Sequence, residues 1–288
     1  MRALVTGAGG MLGRALVAAL RRDGQSVVGL DRATLDITDR AAVSATVREI
    51  APTVIFNCAA YTKVDQAESE PDAAFAVNAA GPLRLAEAAA ERGALLVHLS
   101  TDYVFDGYHP EPNPEWLAVA PLSVYGRSKA LGERWLAARC PHHLIVRTQW
   151  LFGVGGPNFI DTILRLAAER SVLSVVSDQH GCPTYVPDLA DGLLRLVEAG
   201  AGGIVHLTNQ GRTTWHGLAS YVLRRTGSPA TVRAVSTADF PRPAARPPNG
   251  VLAPMGLRAL GLPLLRPWEE AVDAYLLARA PSSTEVCS

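Results

Sequence analysis

Short apolar runs of strand length alternate with alanine- and leucine-rich stretches through the first half of the chain. Runs at residues 2–6, 25–30, 53–56, 94–99 and 144–147 predict strands. Stretches at 14–22, 40–50 and 73–92 predict helices, the second opened by Asp39 as an N-cap. Ser123 precedes another helical segment that continues through Leu136. Strand–helix alternation of this kind predicts an α/β fold with a doubly wound parallel sheet. Beyond residue 150 the alternation loosens. Helices are expected at 159–170, 188–199, 214–226 and 268–279, and short strands at 174–176, 205–207 and 231–234. The proline- and arginine-rich segment 240–248 reads as a loop or rim.

This pattern divides the chain into a dinucleotide-binding domain over 1–150 and a smaller, mainly substrate-binding lobe over 151–280. Some lobe segments are expected to return to the sheet, and 281–288 forms a flexible tail. Of the 288 residues, 48% are hydrophobic and 19% charged, which fits a well-cored globular protein. Lys plus Arg (27) balances Asp plus Glu (27), so neither a nucleic acid nor a membrane surface is an expected partner. The chain opens directly on a strand and turn without the layout of a signal peptide, and no apolar run has bilayer length. Cys58, Cys140, Cys182 and Cys287 are far apart, as expected of reduced thiols in a cytoplasmic protein. The histidines lack zinc-ligand spacing, so no metal site is expected.

Three local patterns carry chemistry. The first apolar run passes directly into Gly7-Ala8-Gly9-Gly10-Met11-Leu12-Gly13 and then a helix. In that context Gly7 makes a tight turn, Gly10 lets backbone approach a pyrophosphate, and Gly13 lets helix and strand pack closely. The second strand ends at Asp31-Arg32. An acid there suits the ribose hydroxyl of NAD, while an adjacent arginine suits the ribose phosphate of NADP, so both forms remain open.

The second pattern is Tyr125-Gly126-Arg127-Ser128-Lys129, which puts Tyr125 and Lys129 one helical turn apart. An ammonium beside a phenol favours the phenolate and makes the hydroxyl a usable general acid or base. The third is Ser100-Thr101-Asp102, just beyond a predicted strand, where ligand-handling groups of such sheets lie. Trp150, Asn158, Gln179, Trp215 and Arg246 are the lobe's candidate substrate contacts.

The glycine turn together with Tyr125-x-x-x-Lys129 resembles the extended short-chain dehydrogenase/reductases. More specific are the runs Leu99 to Gly107, Pro121 to Gly126, Arg147 to Trp150, Asp178 to Thr184 and Ala245 to Asn249. In this order they resemble the dTDP-4-dehydrorhamnose reductase family over nearly the whole chain.

The resemblance implies a Rossmann-type doubly wound parallel sheet with a smaller C-terminal substrate lobe. It also implies a cytoplasmic, NADPH- or NADH-dependent reductase of the 4-keto group of a dTDP-linked 6-deoxyhexose, working as a monomer or homodimer. Thr101, Tyr125 and Lys129 would be catalytic. Gly7, Gly10, Met11, Leu12, Gly13, Asp31, Arg32, Asp36, Ile37, Ala59, Ala60 and Tyr61 would bind cofactor, with Tyr125 and Lys129. Val64, Thr101, Asp102, Tyr103, Trp150, Asn158, Gln179, Trp215 and Arg246 would bind substrate.

Where some family members carry an acidic residue used in a metal-bridged dimer, this chain has Arg14-Ala15, which argues against a magnesium link. The alternatives are a ketoreductase for a different antibiotic-type deoxysugar, a sugar-nucleotide epimerase, and a non-catalytic nucleotide-binding regulatory subunit. A dehydratase is disfavoured because Tyr103, rather than Glu, follows Thr101-Asp102.

Overall fold

Six parallel strands build the central sheet of the computed structural model, which describes residues 1–279. From edge to edge they are Gly203–His206, His143–Thr148, Leu95–Thr101, Val54–Asn57, Arg2–Thr6 and Ser26–Leu30. Successive strand residues point to opposite faces, and both faces are covered. Val5, Phe56, Val97 and Val146 pack against the helices Met11–Arg22 and Val186–Glu198. Leu4, Ile55, Leu96 and Ile145 pack on the other face, against Arg40–Ile50, Gly81–Arg92 and Val124–Arg139. The chain starts in the interior strand Arg2–Thr6, moves outward to Ser26–Leu30, and then crosses to Val54–Asn57. That reversal opens a crevice at the carboxyl ends of the strands.

The expected unbroken helix over 73–92 is interrupted. An α-helix at Pro71–Phe75 leads into a π-turn at Ala76–Ala80 before Gly81–Arg92 resumes. Pro82 has no N–H to offer the carbonyl of Asn78 four residues earlier, and that carbonyl instead abuts Gly132. The strand expected at 205–207 is Gly203–His206, and it pairs with His143–Thr148 in the central sheet.

Other C-terminal segments pack apart from the sheet as a lobe, whereas Leu257 and Leu265 return to the sheet's core. Val172–Val176 pairs with Thr231–Val235, and Phe152, Tyr185, Trp268 and Tyr275 share one core cluster. The expected tail at 281–288, with Cys287, lies outside the described residues. Among the described residues, no helix is long and apolar enough to cross a membrane.

Candidate active site

Ser123 starts the helix Val124–Arg139 by accepting the Gly126 N–H on its hydroxyl at 3.1 Å. Tyr125 and Lys129 therefore occupy successive turns at the carboxyl end of the strand Leu95–Thr101. Gly126 packs directly on the carbonyl of Tyr103, holding the helix against the short 3-10 turn Asp102–Val104. The rings of Tyr103 and Tyr125 meet nearly edge-on, with centroids 5.5 Å apart at 78°. Thr101 donates its hydroxyl to Asp102 Oδ1 at 3.0 Å.

Burial dominates the electrostatics. Asp102 is 2% exposed, and desolvation raises its carboxyl to about 7 despite the Thr101 hydrogen bond. The Tyr125 phenol is pushed up to about 12 by burial, against the opposing pull of the Thr101 hydroxyl. This corrects the expectation that Lys129 lowers it. Lys129 Nζ instead donates to the Leu99 carbonyl at 2.5 Å and lies 3.3 Å from His98 Nε2. Burial lowers Lys129 to about 8, with Glu133 pulling the other way.

A groove of about 500 Å³ runs past Gly7, Arg32, Asp36, Ile37, Ala59, Ala60 and Tyr61. Gly7 has φ 67°, and a Cβ there would come within 2.6 Å of the Ala59 nitrogen, so only glycine fits. Gly13 lies against the Gly7 carbonyl and Ala8, which is the close approach expected of it. Gly10 caps the helix, and Met11 and Leu12 form its first turn. Their side chains pack on the Gly153 and Gly156 turn and into the core, leaving backbone N–H groups to meet a phosphate. The groove and its glycine cradle fit a dinucleotide.

Asp31 bends back on its own turn: Oδ1 accepts from the Ala33 N–H, the Thr34 N–H and the Thr34 hydroxyl. The Asp36 carboxylate is tied to the Thr38 N–H at 2.8 Å.

The expected substrate contacts separate into two groups. Thr101, Asp102, Tyr103 and Tyr125 lie together, and Arg246 joins them by facing Tyr103. Val64 opens the short helix Val64–Ala67, whose Asp65 pairs with Arg246. Arg246, an expected substrate contact, is thus already neutralised in part. Trp150 and Trp215 instead stack on each other in the lobe, centroids 3.6 Å apart. Trp150 adopts φ 47°, a conformation that strains a bulky residue.

Gln179 donates to the Thr237 hydroxyl. Asn158 caps the helix Phe159–Glu169, and its amide also bonds Tyr275 and Asp161, so its polar atoms already serve the lobe. Cys182 is buried in the lobe core.

Several further residues support the site. Asn78 bonds both the N–H and the C=O of Tyr61 and also reaches Ser128. Ser128 is therefore buried in the site's framework. Asn57 and His98 are buried polar residues directly behind Lys129. Their signal in sequence is a polar residue breaking an apolar run.

The family described as RmlD substrate binding domain matches residues 1–280. A dTDP-4-dehydrorhamnose reductase of Streptomyces griseus is 48% identical over 278 residues, covering 94% of this chain and 91% of that protein. A dTDP-4-keto-6-deoxy-D-glucose reductase of Streptomyces niveus is 44% identical over 285 residues, covering 98% and 99%. The crystal structure of a Bacillus anthracis dTDP-4-dehydrorhamnose reductase in complex with NADP superposes with a TM-score of 0.94. It has 40% identity and covers 96% of this chain and 99% of that one. On sequence and fold alike, the chain belongs to the family of the RmlD substrate binding domain, that of the dTDP-4-dehydrorhamnose reductases.

Proposed function

We propose that this protein reduces the 4-keto group of a dTDP-4-dehydro-6-deoxyhexose with NADPH or NADH, in the manner of a dTDP-4-dehydrorhamnose reductase. The observation that carries the reading is the clustering of Thr101, Tyr125 and Lys129 at the strand ends, beside a glycine-cradled groove, in a chain of this family. The nicotinamide cofactor, when bound, supplies the hydride.

The protein supplies the proton and the orientation. Tyr125, held protonated by its burial, donates its phenolic proton to the oxygen that becomes the product hydroxyl. Thr101 orients that oxygen with its hydroxyl. Lys129, as an ammonium, stabilises the phenolate left behind, which asks its Nζ to turn from Leu99 toward the site. The Tyr103 and Tyr125 rings and the Asp102 wall exclude water. A cytoplasmic location and a monomeric or homodimeric state go with this reading.

The relative from Streptomyces niveus favours a second substrate, the D-configured 4-keto-6-deoxyglucose nucleotide. Loss of nicotinamide absorbance with dTDP-4-keto-6-deoxyglucose, with and without a 3,5-epimerase, separates the two. Oxidation only with the epimerase supports the rhamnose step, and oxidation without it supports the D-sugar. In either case Tyr125→Phe should lower turnover by about 10²–10⁴-fold while leaving cofactor binding intact. Full turnover by that variant would refute the proposed acid.

A further inference from the structure

Three neighbouring strands of the central sheet each carry a polar residue at the same level, Thr6 and Asn57 closing their apolar runs and His98 interrupting its own. Thr6 is in register with Asn57, and Asn57 with His98. All three are at most 1% exposed. Thr6 donates its hydroxyl to Asn57 Oδ1 at 2.7 Å, and the Ala59 N–H reaches the same oxygen at 3.2 Å. Only an oxygen can take the Ala59 N–H, so the Asn57 amide has one orientation, with Nδ2 facing His98 Nδ1 at 3.0 Å. Nδ1 must then accept. A neutral imidazole that accepts at Nδ1 carries its hydrogen on Nε2, and Nε2 faces Lys129 Nζ at 3.3 Å. An ammonium has no lone pair to receive it, whereas a free amine does.

We propose that Thr6, Asn57 and His98 form a positioning array that locks His98 in its Nε2–H tautomer and thereby favours the free-amine form of the resting Lys129 over its ammonium. The other ionisable groups facing Lys129 are Glu133 on its own helix and Cys58 beyond the strand Val54–Asn57. The Glu133 carboxylate is already clasped by Arg147 at 2.6 and 2.9 Å, so it offsets the array only in part. His98 stays neutral because burial disfavours an imidazolium, and whenever Lys129 carries its charge it disfavours one further. Given the reductase reading above, on which this consequence rests, the array sets the pH above which the lysine can no longer stabilise the tyrosinate.

Asn57→Asp tests the array by reversing its polarity. A carboxylate accepts from His98 Nδ1–H, which turns the Nε2 lone pair toward Nζ and favours the ammonium. The alkaline limb of kcat should then move up by roughly one pH unit or more. His98→Gln keeps the donor toward Nζ, because Asn57 Nδ2–H selects the carboxamide oxygen, so its limb should stay in place. Nitrogen-15 NMR of histidine-labelled protein, with His98 assigned through His98→Gln, reads the tautomer without turnover. The expected result is Nε2–H in the parent and Nδ1–H in Asn57→Asp. Nδ1–H in the parent overturns the array, whether or not the sugar is reduced. An unmoved alkaline limb in an Asn57→Asp protein whose tautomer has switched overturns its control of Lys129.

Discussion

Asp65 and Arg246 form a two-pronged ion pair, Oδ1 to Nη1 at 2.7 Å and Oδ2 to Nη2 at 2.8 Å. It ties the short helix after the cofactor groove to the proline-rich rim of the lobe. The guanidinium holds the Asp65 carboxyl below the ordinary carboxylate range. Arg246 also faces Tyr103, so the pair fixes a cation at the edge of the catalytic cluster.

Arg246→Ala should therefore raise KM for the sugar nucleotide by about tenfold, roughly 1.4 kcal/mol of binding, with a smaller effect on kcat. The side chains are 18% and 32% exposed, so stability should fall by only about 1 kcal/mol or less. Steady-state kinetics and a thermal melt check both. A KM equal to that of the parent would remove Arg246 from the substrate's binding surface.

Asp102 predicts a pH dependence of stability. Its carboxyl stands at about 7 in the folded chain against an ordinary value of 3.8, because burial penalises the anion. The folded state then holds the proton more tightly than the unfolded one. This contribution is fully present below 3.8 and is lost as pH rises toward 7. Asp102→Asn, which cannot ionise, should match the parent at acid pH and exceed it at pH ~8 by up to a few kcal/mol. Parallel thermal melts across pH measure the difference. Parent and variant curves that stay parallel would mean that Asp102 is not the titrating group.

The local parts of this site are legible in sequence because each follows a rule of short range. Gly7 and Gly13 are demanded by a turn and a close approach within a few residues, Asp39 and Ser123 by helix caps, and Tyr125 with Lys129 by one helical turn. The illegible parts depend on segments far apart in the chain. The Asp65–Arg246 pair spans 181 residues. The π-turn at Asn78 combines Pro82 with the distant Gly132. Thr6, Asn57 and His98 each stand out as a polar residue closing or interrupting an apolar run, but only strand register shows that they meet. The direction in which Lys129 points was missed for the same reason. Tyr125 and Lys129 are adjacent by spacing, yet Nζ follows the carbonyl of Leu99 on the neighbouring strand.

Gly126 tests how closely the catalytic helix must lie on the Tyr103 turn. Its Cα faces the Tyr103 carbonyl with no room for a methyl group, and Pro121 crowds the same spot. Gly126→Ala should cost about 1–3 kcal/mol of stability through overpacking. The displaced turn should also disturb the Tyr103–Tyr125 contact, so kcat should fall more than cofactor affinity does. Denaturant unfolding and fluorescence titration with NADPH separate the two effects. Unchanged stability would mean that the backbone gives way there without strain.

Arg32 and Asp31 make opposite demands on the cofactor, and the local geometry favours the arginine. Asp31 has one carboxylate oxygen taken up by the Ala33 and Thr34 N–H groups and the Thr34 hydroxyl, so its capacity to accept from a ribose hydroxyl is reduced. Arg32 lines the groove. A phosphate on the ribose would gain a charge-assisted bond there, whereas an unphosphorylated ribose would gain little. Arg32→Ala should raise KM for NADPH by about tenfold and change KM for NADH by less than about twofold, since each factor of ten corresponds to roughly 1.4 kcal/mol. Kinetics with both cofactors give the ratio directly. An equal rise for the two would show that Arg32 supports the groove's shape rather than reading the phosphate, and discrimination would then fall to Asp31.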